Sequence, residues 1–238
     1  MPGTLMNVPG WLMDPLGPLS VRWGYLPKML PWLVRFLAAS SKSRVEQIAI
    51  ELAALLNRAW DDYDPVIAKA GLADTVFETA EVTDFVYRDG KPRAAMTTSG
   101  DQITFDTVVV ACGAWSKTLA KRLGSPVPLD TERGYNTTVP YHDAKLSRMV
   151  ICADDSFVMT PMEMGIRVGG AVELGGLTAA PNYDRAKALF AKGKEVLPKL
   201  NGDGGTEWMG FRPSMPDSKP VISKSPNHQN VFFAFGHG

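Results

Sequence analysis

The chain has 238 residues, 25 basic and 25 acidic side chains, 45% hydrophobic content, 22 Gly and 18 Pro. That length fits one large or two small domains, and a chain of this size buries roughly 70–75% of its unfolded surface without disulfide or metal staples. Zero net charge argues against a nucleic-acid binder, which carries a basic excess, and the hydrophobic fraction excludes disorder.

Residues 1–40 are rich in Pro, Trp and Leu, with prolines at 9, 15, 18, 27 and 31. Proline removes a donor and fixes φ, so the segment is not one regular element. It reads as an extended lid ending in a short helix from about Pro31; the alternative is a patch for a partner or a membrane surface. Ser43 and Glu46 form a capping box, and Val45, Ile48, Leu52, Leu55, Leu56, Ala59 and Tyr63 come after it at helical spacing. Asp64-Pro65 bends or ends this helix, and Gly71 closes the next short segment.

From Val76 the period is that of strands. Glu81 to Arg88 and Arg93 to Thr98 flank the turn cluster Asp89-Gly90-Lys91-Pro92 and read as a hairpin. Ile103 to Ala111 reads as one strand, its Val108-Val109-Val110 run suggesting both faces buried in a parallel sheet. Ser116 opens a short helix that stops at Gly124. A meander is expected over Glu132–Val139, Ser147–Ala153, Ser156–Thr160 and Ile166–Leu174, with Pro161 to Gly165 as its last connection. Gly169-Gly170 and Gly175-Gly176 read as bulges or close backbone approach within strands. A helix is expected over 182–199 with Ala186, Leu189, Phe190 and Val196 inward, and the chain ends on a strand, Val231 to Phe235.

Several chemistries lack their residues. There is no GxSxG elbow, and His142, His228 and His237 match no metal spacing, so no metal site is expected. Neither a P-loop nor GxGxxG occurs. Cys112 and Cys152 make no framework and read as small buried hydrophobes in a reducing compartment. The N-terminus has no secretory pattern, and the longest apolar run, Met29 to Ala39, is far shorter than the roughly 20 residues of a membrane span. The expectation is a soluble, cytoplasmic protein, with contact to the inner face of the membrane through residues 1–40 as the minor alternative.

Four stretches in order carry a resemblance: Ala80-Glu81-Val82; Thr107 to Ser116, TVVVACGAWS; Glu207 to Asp217, EWMGFRPSMPD; and Asn230 to Gly238, NVFFAFGHG. Together they resemble the FAD-dependent oxidoreductases of the D-amino-acid oxidase and glycine oxidase type, nearest to the small subunit of bacterial D-amino-acid dehydrogenase. The resemblance implies an α/β (α+β) fold, a partial FAD-binding Rossmann-like layer plus an antiparallel substrate-domain sheet. The implied divisions are 1–75 lid and helices, 76–128 partial FAD-binding domain, 129–206 substrate domain, and 207–238 return to the FAD-binding domain. FAD is the implied cofactor. The backbone of Val82 would meet its adenine, Gly113, Ala114 and Trp115 would pass close to it, and Gly236, His237 and Gly238 would approach the flavin ring. Arg212 would pair with the substrate carboxylate, a bidentate task suited to a guanidinium; Tyr135, Asn136 and Phe157 are further pocket candidates. The implied reaction is hydride transfer from the Cα of a D-amino acid to flavin N5, with protein groups supplying orientation.

The departures are the missing GxGxxG unit, a deletion between Gly71 and Phe77, Ser223 where the family has glycine, and an end at Gly238. They suggest a chain truncated at both ends and internally deleted. The alternatives are a non-catalytic remnant unable to hold FAD, and oxidation of an N-methyl amino acid or 2-hydroxy acid.

Overall fold

A computed structural model describes residues 8–41, 43–52, 54 and 80–238. The chain divides into two units. One comprises Met1–Leu30 and Asp130–Arg212, the other Pro31–Leu129 and Pro213–Gly238. The expected stripe residues Leu55, Leu56, Ala59 and Tyr63, the Asp64-Pro65 stop, Gly71 and the strand start at Val76 lie outside the described residues.

The first unit is built on a sheet ordered β10-β6-β9-β8-β7, formed by β6 (Asp130–Val139), β7 (Val150–Cys152), β8 (Phe157–Met162), β9 (Gly165–Leu174) and β10 (Thr206–Ser214). The expected meander holds for β7, β8 and β9, but β6 pairs with β9 rather than with β7. The turn before β9 is tighter than expected: Pro161 and Met162 end β8, and Gly165 begins β9. Gly165 has φ of 144°, and a Cβ there would lie within bonding distance of the Val139 carbonyl, so only glycine fits. Helix α5 (Asp184–Val196) covers one face with Ala186 and Leu189. Its far end differs from expectation: Val196 is exposed, and Gly193 is the residue set against Val168.

The N-terminal segment is more regular than a lid. Helix α1 (Val8–Met13) leads to β1 (Leu19–Val21), which pairs parallel with β9. Helix α2 (Leu26–Ala39) begins five residues before the expected start and carries Pro31 inside it. Pro27 stands in the first turn, where a missing N–H costs nothing. Three arginines bind the first unit's distant segments through their donors. Arg133, fully buried, donates to the carbonyls of Gly176, Ala179 and Ala180 and pairs with Glu173. Arg22 donates to the same carboxylate, as does the Tyr135 hydroxyl. Arg185 donates to the carbonyls of Pro15 and Gly17, tying the segment before β1 to α5. Burial lowers the pKa of this guanidinium from its ordinary value.

In the second unit, β2 (Val82–Arg88) and β3 (Lys91–Thr97) form the expected hairpin, but with a tighter turn. Asp89 and Gly90 alone make it, with φ of 51° and 71°, as a type I′ turn requires. Pro92 lies inside β3. The single strand expected over 103–111 is two. β4 (Gln102–Thr104) extends the hairpin sheet, whereas β5 (Val108–Val110) joins β12 (Val231–Phe235) and β11 (Val221–Lys224) in another. β5 runs parallel to β12, as expected, but only one of its faces is buried: Val110 is 2% exposed and Val109 57%. Val109, Ile222 and Phe232 are exposed on this sheet, while Val110, Val231, Phe233 and Phe235 enter a core shared with Phe85, Leu119 and Leu129. Helix α3 (residues 43–52) starts where the capping box places it and buries Ile48, but Val45 is exposed. Helix α4 (Ser116–Arg122) succeeds a 3-10 turn at Gly113–Trp115.

Candidate active site

Alternation along β6 separates its two faces. Arg133, Tyr135 and Thr137 belong to the α5 side, where the Tyr135 ring is packed in the core and the Thr137 hydroxyl reaches the Ala186 carbonyl. Gly134 and Asn136 instead line an open cleft of about 270 Å³ on the other face, with Arg167, Gly169, Trp208, Gly210 and Arg212. β10 contributes Trp208, Gly210 and Arg212 at a two-residue spacing, which puts the two side chains and the bare glycine on one side of the strand.

Glycine makes the cleft. A Cβ at Gly134 would collide with the Arg212 guanidinium, and one at Gly210 would collide with the Trp208 ring. Both large side chains therefore lie flat on backbone. A Cβ at Gly169 would press on Asn136 at 3.1 Å. These glycines are required by close approach rather than by backbone conformation.

Arg212 is held by a bulge. Between the pairs Arg133–Glu173 and Tyr135–Gly170, β9 spends one residue more than β6. The extra residue falls where Ala171 takes φ of 58°, a conformation that costs a non-glycine residue of order 1–3 kcal/mol. The bulge turns the Ala171 carbonyl to accept from Arg212 Nη1 at 3.2 Å. Bulges re-aim groups in this way beside functional sites.

The other expected pocket residues separate. Asn136 is 8% exposed, and its Oδ1 has no hydrogen-bond partner among the described residues. Tyr135 borders the cleft but is 1% exposed, its hydroxyl donating to Glu173 and accepting from the Asn182 N–H; burial raises its pKa. Phe157 is 2% exposed in the core with Met159 and Ile166 and does not line the cleft. The physical reason is the strand period: Phe157 and Met159 point into the α5-side core, leaving Val158 for the cleft. Sequence reasoning missed Arg167 and the part played by Trp208. The available signal was the alternation Trp208-x-Gly210-x-Arg212; Arg167 had none, because its place depends on pairing with Thr138 across β6 and β9.

The residues expected at the cofactor lie in the second unit. β5 and β12 are parallel and in register, Val110 beside Phe233, so their carboxyl ends lead side by side into 112–115 and 236–238. Ligands of α/β sheets bind beyond such ends. Gly113, Gly236 and Gly238 have φ of 53°, 86° and 82°. Among the described residues, a Cβ at Gly113 or Gly238 would meet no atom within 4 Å, while one at Gly236 would press on Met215. His237 and Trp115 are exposed, and the next residue after Trp115, Ser116, has a buried Oγ with no partner among the described residues. Ala114 is buried, and Val82 packs against the core at the start of β2. Cys112, expected buried, is exposed because it lies beyond the end of an edge strand; Cys152 is partly exposed. These open, backbone-lined strand ends fit one side of a flavin nucleotide. The 238 residues hold no GxGxxG for its pyrophosphate.

Comparison with known proteins shows the family. A family model described as FAD dependent oxidoreductase matches residues 62–238. A D-amino-acid oxidase of Bradyrhizobium diazoefficiens is 31% identical over 324 positions, covering all of this chain and 77% of that protein. Those 324 positions exceed the 238 residues aligned, so the relative carries internal segments that this chain lacks. A D-amino acid dehydrogenase of the same organism is 33% identical over 159 residues, 65% of this chain and 37% of that protein. The glycine oxidase of Bacillus cereus shares the fold over 68% of this chain and 44% of its own, with a TM-score of 0.59 and 21% identity. Among the described residues, no helix is long and apolar enough to cross a membrane.

Proposed function

The chain belongs to the family of FAD-dependent amino-acid oxidoreductases, and from that premise we propose that it takes part in oxidative deamination of a D-amino acid whose carboxylate is received by Arg212. The observation that carries this is the guanidinium laid flat on Gly134 and tethered by one N–H to the Ala171 carbonyl, at the wall of an open cleft. A tethered planar fork presents its remaining donors in a fixed direction, which is what bidentate recognition of a carboxylate needs. The D-configuration is supported by the names of the similar proteins in Bradyrhizobium diazoefficiens.

Gly113, Ala114, Trp115, Gly236, His237 and Gly238 would hold FAD, with Val82 toward its adenine. When bound, FAD supplies the two-electron oxidising capacity for the substrate Cα–H bond. The protein's own part is orientation: Arg212 fixes one end of the amino acid, and the Trp208 ring on Gly210 walls one side of the cleft. Among the described residues no carboxylate or histidine lines the cleft.

The test is purification of the full chain with added FAD. Flavin absorbance that retains its intensity on gel filtration and is bleached by D-alanine supports the proposal. A colourless protein that takes up no FAD overturns it in favour of a non-catalytic remnant. Arg212→Met removes two charge-assisted hydrogen bonds of about 1.5–3 kcal/mol each. It should weaken substrate binding at least 100-fold while leaving bound flavin in place.

A further inference from the structure

A second guanidinium faces the same cleft. Arg167 sits on β9 opposite Thr138, and its Nε donates to the Thr138 hydroxyl at 3.0 Å. Among the described residues no hydrogen bond or ion pair engages its two Nη groups. Among the described residues no Asp or Glu lines the cleft, and two guanidinium groups do. Along β6 the order is Gly134 under Arg212, then Asn136, then Thr138 holding Arg167. At about 3.3 Å per residue, the two anchoring levels are roughly 13 Å apart along the strand. Between them lie Gly169, which leaves space, and the Asn136 amide, nine-tenths buried with Oδ1 unpartnered. A buried acceptor without a donor costs about 1–3 kcal/mol, which a donor brought by a ligand would offset.

We propose that the cleft selects amino acids with a second carboxylate. Arg212 receives the α-carboxylate, Arg167 receives the distal one, and Asn136 Oδ1 accepts an N–H from the substrate nitrogen between them. This makes Arg167 the residue that sets substrate class, and it rests on the assignment of Arg212 above. Neutral amino acids would leave Arg167 facing solvent and bind less tightly.

Calorimetric titration of the full chain at fixed low salt tests this with glutarate and succinate against butyrate and propionate. The expected result is dicarboxylate binding at least tenfold tighter than monocarboxylate binding. Arg167→Met should erase that preference, and Arg167→Lys should keep part of it. Arg167→Gln, which can still reach the Thr138 hydroxyl, repeats the test if the Met variant fails to fold. Equal affinities for the two probe classes in a protein whose binding depends on Arg212 overturn the proposal and leave the assignment of Arg212 standing. A preference that persists in Arg167→Gln also overturns it. Absence of all carboxylate binding by the unmodified chain overturns both.

Discussion

The two units solve the problem of a buried interior in different ways. The second places Val110, Leu129, Val231, Phe233 and Phe235 in an apolar core, and among its described residues the buried polar side chains carry hydroxyls and no charge. The first buries Arg133, Arg185 and Glu173 together with Tyr135. Buried ions are stable only when paired and hydrogen-bonded, because desolvation costs several kcal/mol per ion. Here the donors of the two arginines go largely to backbone carbonyls of loops that no regular element covers, at 15–17 and 176–180. The difference teaches where a site can be built. Charges that tie loops on the α5 side leave the opposite face of the same sheet free to be floored with glycine and opened as a cleft.

Breaking the contrast starts with its strongest member. Glu173→Ala leaves Arg133 buried without its counter-charge and should cost about 3–5 kcal/mol, read as a lowered denaturant midpoint. Phe235→Ala in the apolar core should cost a similar 3–5 kcal/mol, through a cavity. The contrast lies in rescue. Filling the second core with Phe235→Leu should recover most of the loss, whereas Glu173→Leu should not, because the arginine stays unpaired. Equal rescue at both sites would erase the distinction between the units.

A smaller effect sharpens the role of the glycine floor. Gly134→Ala puts a methyl where the Arg212 guanidinium lies. Displacing the guanidinium should lower carboxylate affinity about tenfold, the scale of one charge-assisted hydrogen bond, with little change in melting temperature. An unchanged affinity would show that Arg212 needs no flat seat.

The smallest effect tests the polar anchoring of the first unit at its edge. The Tyr25 hydroxyl donates to the Asp130 carboxylate at 3.0 Å, and burial first, then the Asp130 charge, pushes its pKa up from 10.0 to about 12. The neutral phenol is thus favoured in the folded state. Its contribution to stability is fully present below pH 10, declines as pH rises further, and is lost above about 12. Tyr25→Phe should cost about 1 kcal/mol at neutral pH and flatten this alkaline decline, measured by urea midpoints across that range. A decline of unchanged slope would assign it to other groups.

Local chemistry made part of this molecule legible in advance. The cluster Asp89 to Pro92 announces a hairpin, although only Asp89 and Gly90, which tolerate positive φ, make its turn, and the β-rich run Val231–Phe235 needs no partner to be recognised as a strand. The order of motifs through Arg212 and Gly236 marked both the family and the residue at the cleft wall. Tertiary structure decided the rest. Nothing local distinguishes Asn136, which faces the cleft, from Tyr135, which faces the core; the side each takes is set by register with β9 and by the extra residue at Ala171. The burial of Arg133, the seat of Arg212 on Gly134 and the arrival of Arg167 beside them depend on pairings between strands far apart in the chain. A strand's composition sets that its side chains alternate, but only its neighbours set which face is buried.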